Sequence, residues 1–181
     1  MTAVKLTLTE FLEQRDTKPA SEYVCGEVFQ KPMPDGPHSA IQGFFIAVLY
    51  PFLQRTGLGR AFPELRCIFG PSGHERIYVP DVVVVSPDKL PIPRHLHAAP
   101  DVAIEVLSPD QHKAQFVDKV QFYLLYGVRL VWVIDPETRT ITVQSPGNEG
   151  LLLSAGDTLD GGDVLPGFQV AVDAIFAEMP V

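Results

Sequence analysis

The sequence predicts an α/β (α+β) domain in which a mixed central β-sheet is flanked by helices. Strand-like apolar runs and helical segments follow one another in the order helix, strand, helix, several strands, helix, strands, which is typical of layered domains. Residues 102–134 form a strand–helix–strand unit, whose crossover is expected to be right-handed. The 181 residues, 46% of them hydrophobic, suffice for a single domain over residues 1–181 with its own core.

The N-terminal elements are a short helix and a strand or hairpin. Residues 6–15 predict a helix that either Thr7 or Thr9 caps. Residues 22–31 alternate loosely between apolar and polar side chains and contain Gly26, a pattern that predicts a strand or a hairpin. Both elements precede the first long helical segment of the chain.

That long helix follows a loop rich in proline. Residues 32–37 contain three prolines and a glycine and predict the loop. Apolar side chains recur at helical spacing over residues 39–54, and Ser39 is a suitable N-terminal cap. Pro51 is expected to kink or end this helix, because its ring removes a backbone donor.

The middle of the chain supplies the strands of the expected central sheet. Residues 61–69 and 77–86 are strand-like and flank a Gly-Pro-Ser-Gly turn at 70–73, which favours a hairpin-like arrangement. A proline-rich loop over 87–99 then leads to a further strand at 102–107.

The next predicted helix begins at Ser108–Pro109 and runs to about Tyr126, where Gly127 provides a C-terminal glycine stop. The elements beyond it are short. They comprise strands at residues 130–134 and 140–144, glycine-rich turns between 156 and 176, a short strand near 168–172 and one terminal helical turn.

Composition and charge exclude several classes of protein. The net charge of −8 argues against a chain that coats nucleic acid through bulk electrostatics, although it leaves room for local phosphate contacts. The sequence has no apolar run of about 18 residues and no secretory signal in its first residues, so we expect a cytoplasmic protein without a membrane span. Cys25 and Cys67 lack CxxC spacing and are expected to be free, buried thiols.

Two apolar strings carry acids where a protein core would not favour them. Asp81 opens the run of valines in YVPDVVVV, and Glu105 lies between Ile104 and Val106 in PDVAIEVLSP. A buried carboxylate is costly unless a cation or hydrogen bonds satisfy it. Asp101, at the start of the second string, is expected to cap its strand or to face solvent.

The two acids predict a divalent metal site built into the sheet. If their strands are neighbours, the side chains converge across a spacing of about 4.8 Å. Carboxylates that close repel each other unless a cation is present, and Mg²⁺ prefers one or two carboxylates with waters and phosphate oxygens. Lys119, at the edge of the apolar stripe of the following helix, would lean towards Asp81 and Glu105.

Four strings resemble one family: YVPDVVVVSPD, APDVAIEVLSPD, DKVQFYLLYGVRLVWVIDPETRTITV and GDTLDGGDVLPGFQV. They are similar to the Uma-type restriction endonucleases of bacteria, a branch of the PD-(D/E)xK nuclease superfamily. The string GEVFQKPMPDGPHSAIQG also resembles the family's pattern of Gly-Glu, then Pro, then His. The likeness covers nearly the whole chain and implies a restriction-endonuclease-like core.

This resemblance implies a catalytic set around a metal ion. Asp81 matches the acid of the PD motif and Glu105 the acid that follows, and both would hold Mg²⁺, with Mn²⁺ as a substitute. The usual lysine stands two residues after the second acid, but here that position is Leu107. Lys119 is similar to the relocated lysine of this branch, and Gln115 stands where related sequences often have an Asp.

Two further residues match the family pattern and would support the site. Glu27 is the acid of the Gly-Glu pair and would complete the metal shell, by holding a second metal ion or a water. His38 matches the family histidine at the start of a helix. The implied reaction is metal-assisted hydrolysis of a phosphodiester bond in DNA, with Lys119 orienting or helping to activate the attacking water and stabilising transition-state charge.

Each of these residues also has a structural interpretation. Asp81 would then be an acid at the start of a strand that makes a turn hydrogen bond, Glu105 a buried acid paired with an Arg, and Lys119 a snorkelling lysine on an amphipathic helix. Glu27 would be a capping acid, and His38 a histidine at a helix start.

Two functions from different classes therefore stand at this point. One is a Mg²⁺-dependent DNA endonuclease, which the set of Asp81, Glu105 and Lys119 favours. The other is a catalytically inactive nuclease fold that serves as a binding or assembly module, which the charge of −8 and the absent lysine at Leu107 favour. A homodimer is expected under both, because an acidic single domain would need a second subunit to contact both strands of a duplex.

Overall fold

Helices are layered against sheets in a computed structural model of the chain, which describes residues 5–109, 113–148 and 150–177. Within these ranges the helices are α1 (Leu8–Glu13), α2 (Gly36–Thr56), α3 (Lys113–Leu125) and α4 (Val172–Phe176), with a 3₁₀ turn at Pro87–Lys89. The strands are β1 (Ser21–Val24), β2 (Glu27–Gln30), β3 (Arg60–Pro63), β4 (Cys67–Phe69), β5 (Arg76–Tyr78), β6 (Val82–Val85), β7 (Val102–Val106), β8 (Leu130–Asp135), β9 (Thr140–Gln144), β10 (Leu151–Leu153), β11 (Thr158–Asp160) and β12 (Gln169–Ala171).

The central layer is a six-stranded mixed sheet in the order β10–β9–β8–β7–β6–β3. β7 and β8 run parallel, with Ile104 beside Trp132, and the other neighbours pair antiparallel. Because α3 lies between β7 and β8 in the chain, the predicted strand–helix–strand unit is confirmed. The prediction of a mixed central sheet flanked by helices is confirmed as well.

The two faces of this sheet bury different partners. Strand alternation places Ile104 and Trp132 on the face that packs against α2 and α4. Ala103 and Val131 lie on the opposite face, which packs against α3 and the aromatic side chains of β4 and β5. Because the central strands are covered on both sides, their sequences are continuous apolar runs. Glu105 alternates with Ile104 and therefore points to the α3 side.

A smaller antiparallel sheet has the order β2–β1–β5–β4. Cys25 and Gly26 form the turn between β1 and β2, and both have positive φ, 51° and 93°, as the favoured two-residue hairpin turns require. Since Cys25 lies in this turn, it is exposed, and the expectation of a buried thiol is wrong for it. Cys67 in β4 is buried, as expected.

Two predicted strands are each divided in the structure. The run predicted over residues 61–69 corresponds to β3 and β4, and the run over 77–86 corresponds to β5 and β6, with the members of each pair in different sheets. Pro80 has no backbone donor and so interrupts the second run. β4 and β5 do form the predicted hairpin. As a result, Asp81 lies where the chain crosses from the smaller sheet to the central sheet.

α2 begins earlier and continues further than its sequence pattern predicts. Its cap is Asp35, whose side chain accepts the backbone N–H of His38 at 2.9 Å, so the expectation that Ser39 caps the helix is wrong. The helix also runs through Pro51 without ending there. The apolar side chains on both sides of the proline, Phe52 among them, are buried in the core and hold the helix together.

Smaller differences occur at the ends of elements. α1 is shorter than predicted, and of the two candidate caps it uses Thr7, which exchanges hydrogen bonds of 3.2 and 2.7 Å with Glu10 in a capping box. The predicted start of α3 falls partly on residues 110–112, which lie outside the described residues. β10 and β11 are short strands that the sequence does not predict. Of the helices in the described ranges, none is long and apolar enough to cross a membrane.

A matched pair of glycine substitutions tests the close packing at the edge of β6. Gly59 has φ 137°, and a Cβ at this position would collide with the carbonyl oxygen of Val85. We expect Gly59→Ala to lower the free energy of unfolding by about 1–3 kcal/mol. Gly43 lies in α2 with open space around it, so Gly43→Ala should raise that free energy by about 0.5–1 kcal/mol. Urea denaturation measures both changes, and equal effects would contradict the packing at Val85.

Candidate active site

A pocket of about 440 Å³ lies between the smaller sheet, the start of α2, α3 and the adjoining ends of β6 and β7. Among the described residues, its charged lining consists of five acids and two lysines, namely Glu22, Glu64, Asp81, Glu105, Asp118, Lys31 and Lys119. The excess of carboxylates makes the pocket electronegative, and such a site favours a bound cation.

Asp81 and Glu105 lie side by side at this end of the central sheet. β6 and β7 are antiparallel neighbours with Val82 opposite Ile104, so the residues next to that pair face each other. This confirms that the two acid-bearing strands are adjacent. Asp81 is 1% exposed and Glu105 is 2% exposed, so both carboxylates depend on the protein for their hydrogen bonds and counter-charges.

Asp81 is held by three groups from different parts of the fold. Its Oδ2 accepts the backbone N–H of Val106 at 2.7 Å and lies 3.2 Å from His38 Nε2. Its Oδ1 accepts a hydrogen bond from Lys31 Nζ at 2.6 Å. Burial alone would raise the pKa of Asp81, but Lys31 and His38 outweigh it and hold the pKa below its usual value. Asp81 is therefore ionised at neutral pH.

Glu105 binds two donors from α3 on one oxygen. Lys119 Nζ lies 2.8 Å from Oε1, and the Tyr123 hydroxyl donates to the same atom at 2.7 Å. Burial raises the pKa of Glu105, although Lys119 acts in the opposite direction. Burial also raises the pKa of Tyr123 well above its usual value, so its hydroxyl keeps its proton and remains a donor.

Lys119 bridges two acids from different sheets. Its Nζ lies 2.8 Å from Glu105 of the central sheet and 2.8 Å from Glu22 Oε1 of β1. The ammonium also faces the rings of Tyr78 and Tyr123 at 5.5 and 5.8 Å. Burial alone would lower the pKa of Lys119, but Glu105 and Glu22 raise it, so the side chain remains charged at neutral pH.

Glu22 and Lys31 belong to the cluster although the sequence analysis did not select them. Glu22 Oε1 accepts the backbone N–H of Val79 at 3.0 Å besides its bond from Lys119. Lys31 follows β2 and donates to the carbonyl oxygen of Val79 at 2.7 Å besides its bond to Asp81. One available signal was the position of Glu22 directly before the apolar pair Tyr23 and Val24 in the hairpin segment.

The two supporting candidates have different positions. His38 is buried in the first turn of α2 and contacts Asp81, so the structure brings it into the cluster. Glu27 directly follows the hairpin turn, where its side chain is 58% exposed and lies 3.7 Å from Lys5. The structure does not bring Glu27 to the pair of acids, and Glu22 is the hairpin acid found there.

Three further positions discussed in the sequence analysis, Leu107, Gln115 and Asp101, lie away from the buried cluster. Leu107 packs at the border of the apolar cluster under α3, and Gln115 is exposed at the rim of the pocket. Asp101 lies outside this pocket, directly before β7, and is 6% exposed, so the alternative that it faces solvent is wrong. It accepts the backbone N–H of Ser86 at 2.8 Å and is paired with Lys89 at 3.0 Å.

The donor set is compatible with Mg²⁺ or Mn²⁺. Asp81 and Glu105 offer two hard oxygen ligands from neighbouring strands, and Mg²⁺ usually takes one or two protein carboxylates and completes its shell with waters and phosphate oxygens. A group of three or more His, Cys, Asp or Glu side chains suited to a metal ion does not occur in the part of the chain that the structure describes. Water and substrate would therefore have to supply the remaining ligands.

Comparisons with known proteins identify the family of this chain. The model of the Uma2 family, described as "Putative restriction endonuclease", matches residues 8–173. The chain is also similar to a crystal structure from Anabaena variabilis described as "a putative nuclease belonging to DUF820", with a TM-score of 0.87 and 34% identity over 95% of this chain and 98% of that one. Among curated proteins, no significant match was found. Since the family model spans most of the chain, the protein belongs to the Uma2 family.

Proposed function

We propose that this protein is a Mg²⁺-dependent nuclease that hydrolyses phosphodiester bonds in DNA. The observation that carries the proposal is the meeting of Asp81, Glu105 and Lys119 in one buried cluster at a pocket. Paired carboxylates that can hold a metal ion and a charged donor are the groups that this hydrolysis requires.

The comparisons support the general part of the proposal. A member of a family described as "Putative restriction endonuclease", with a fold close to that of a protein described as "a putative nuclease", is expected to be a hydrolase of phosphodiester bonds. The choice of Mg²⁺ rests on the oxygen donors of the pocket. The choice of DNA rests on the description of the family as restriction endonucleases.

Asp81 and Glu105 would hold the metal ion. When bound, the ion would supply a water of lowered pKa and would neutralise charge on the phosphate. The chain itself fixes both ligands: the Val106 N–H holds Asp81 in place, and the Tyr123 hydroxyl orients Glu105. These contacts leave the carboxylates little freedom to reorganise when substrate arrives.

Lys119 would act as a charged donor. Because its pKa is raised, it keeps its proton at neutral pH and is not suited to accept one from water. Its ammonium would orient the attacking water or stabilise the negative charge that develops on the phosphate. Glu22 acts on Lys119, since its carboxylate holds the same Nζ from the side of the smaller sheet.

The test is cleavage of supercoiled plasmid DNA by the purified protein in Mg²⁺, with excess EDTA as the control. Nicked or linear product in Mg²⁺ alone is expected. A labelled single-stranded RNA is incubated in parallel. Cleavage of RNA without cleavage of DNA would overturn the choice of substrate, and no cleavage of either would overturn the nuclease proposal.

One observation favours the inactive binding or assembly module as the second candidate. Asp81 and Glu105 are already neutralised by Lys31 and Lys119, so the fold does not require a metal ion to bury them. Under this alternative, titration calorimetry with Mg²⁺ or Mn²⁺ finds no binding by the folded protein.

We also propose a homodimer as the form that acts on duplex DNA. The chain has a net charge of −8, and one acidic subunit would bring its Asp81–Glu105 pocket to one strand of the duplex. Size-exclusion chromatography with light scattering measures the mass directly. A measured mass close to that of one chain, 19.9 kDa, would contradict the dimer.

A further inference from the structure

We propose that Lys31 is an internal competitor of the metal ion, a cation that occupies Asp81 until a divalent ion displaces it. The inference rests on the function proposed above, in which Asp81 is a metal ligand. It adds a second lysine to the site, with a role different from that of Lys119.

The two oxygens of Asp81 have partners of different kinds. Oδ2 accepts the Val106 N–H at 2.7 Å and lies 3.2 Å from His38 Nε2. The Val106 N–H belongs to a central strand and cannot move away without disturbing the sheet. Oδ1 receives its hydrogen bond from Lys31, at 2.6 Å. Oδ1 is therefore the oxygen that a metal ion would take, and Lys31 occupies it.

Lys31 is placed so that its ammonium can move away from Asp81. It follows β2, the edge strand of the smaller sheet, whose side chains are mostly exposed. Its own side chain is 14% exposed and has a flexible four-carbon stem, and besides Asp81 its ammonium contacts the carbonyl oxygen of Val79 at 2.7 Å. Lys119 is the contrasting case, because it is 6% exposed, binds two carboxylates and faces two aromatic rings.

Lys31 and a divalent ion exclude each other at Oδ1. An ammonium and a metal ion that shared one carboxylate oxygen would lie within a few ångströms of each other and repel strongly in a buried site. The free energy of metal binding is then reduced by the strength of the Lys31–Asp81 pair, since that pair must be broken first. Loss of the Lys31 charge should strengthen metal binding. A lysine remote from the site would not produce this gain, and the displacement of Lys31 itself is tested separately by acetylation.

The experiment measures the affinity of the full chain for Mn²⁺, without nucleic acid, by titration calorimetry. We expect Lys31→Met to bind Mn²⁺ about tenfold more tightly than the wild type, the change that about 1.4 kcal/mol of lost competition produces. Lys89→Met is the matched control, because it removes a lysine from the buried Asp101 outside the pocket. Its affinity should stay close to that of the wild type. Equal or weaker binding by Lys31→Met, or an equal gain in Lys89→Met, would overturn the inference.

A second measurement uses the wild-type protein and does not depend on the folding of a variant. Lysine acetylation with and without Mn²⁺ is followed by mass spectrometry. Mn²⁺ should raise the acetylation of Lys31 several-fold and leave that of Lys119 unchanged, and an unchanged Lys31 overturns the inference.

The outcomes separate this inference from the nuclease proposal. Equal Mn²⁺ affinity in the wild type and Lys31→Met overturns the role of Lys31 alone. Binding by Lys31→Met with none by the wild type supports that role. Absence of binding in both proteins overturns the inference together with the metal-dependent part of the proposed function.

Discussion

Asp81→Asn is expected to lower the rate of Mg²⁺-dependent DNA cleavage by about 10²–10³-fold. The substitution keeps the size of the side chain but removes the negative charge that would hold the metal ion. An amide also brings an N–H₂ group against donors, since Asp81 now accepts hydrogen bonds from Lys31 and from the Val106 N–H. Initial rates on supercoiled plasmid, with circular dichroism to confirm folding, measure the effect.

Asp101→Asn is the matched control for that loss of activity. Asp101 is also buried, at 6% exposure, and is also paired with a lysine, but it lies outside the pocket. This variant should be less stable than the wild type and should cleave DNA at a similar rate when folded. Unchanged cleavage by Asp81→Asn, or an equal loss in both variants, would show that Asp81 does not hold the metal ion.

Lys119→Met is expected to abolish cleavage and to lower the free energy of unfolding at pH 7 by about 3–5 kcal/mol, the usual cost of leaving a buried charge unpaired. Glu105 is 2% exposed and Glu22 is 8% exposed, and both would lose their shared cation. Urea denaturation gives the change in stability. Lys89→Met should cost less, because its side chain is 23% exposed and binds one carboxylate.

The loss of stability in Lys119→Met should depend on pH in a defined direction. In the wild type, the pKa of Lys119 is raised in the folded state. Its contribution to the free energy of unfolding is therefore complete at any pH below the pKa of an unfolded lysine, about 10.4, and is lost only as the pH rises above that value. In the variant, burial raises the pKa of Glu105 and Lys31 is the remaining cation of the two that oppose this rise, so the folded state takes up a proton as the pH falls. The difference between the two proteins should therefore shrink from pH 7 towards pH 4. An equal difference across that range would contradict the ion pairs.

The acids of the site were predictable because they break strong local patterns. Asp81 and Glu105 are carboxylates at or within apolar strand runs, and the cost of burying such groups makes them stand out in one sequence. Lys119 was found in a similar way, at the edge of the apolar stripe of α3. The structure places these three residues together. Their roles in metal binding and catalysis stay predictions.

Glu22 and Lys31 escaped sequence reasoning because their positions depend on pairing between distant segments. Lys31 and Asp81 are fifty residues apart in the chain. They meet because the β1–β2 hairpin joins the sheet that contains β5. Glu27 is the opposite case, a residue that the motif match selected but that does not reach the pocket. The motif match gave no information on which acid of the hairpin faces the pocket. Its place after the turn leaves it exposed.

The fold class followed from the order of elements, whereas the sheet boundaries did not. A continuous strand-like run such as residues 77–86 looks the same whether it serves one sheet or two. Pro80 was the local signal for a break. Its consequence, that β5 and β6 join different sheets, depends on pairing that no local pattern contains.

A crystal of the protein soaked in Mn²⁺ would decide whether Asp81 and Glu105 form the metal site. Anomalous scattering locates the ion independently of the surrounding density. We predict a peak at coordination distance, about 2.1 Å, from a carboxylate oxygen of each residue, with Lys31 Nζ moved away from Asp81. A protein that cleaves DNA in Mn²⁺ but shows no peak between these two carboxylates, or shows it elsewhere, would contradict the assignment.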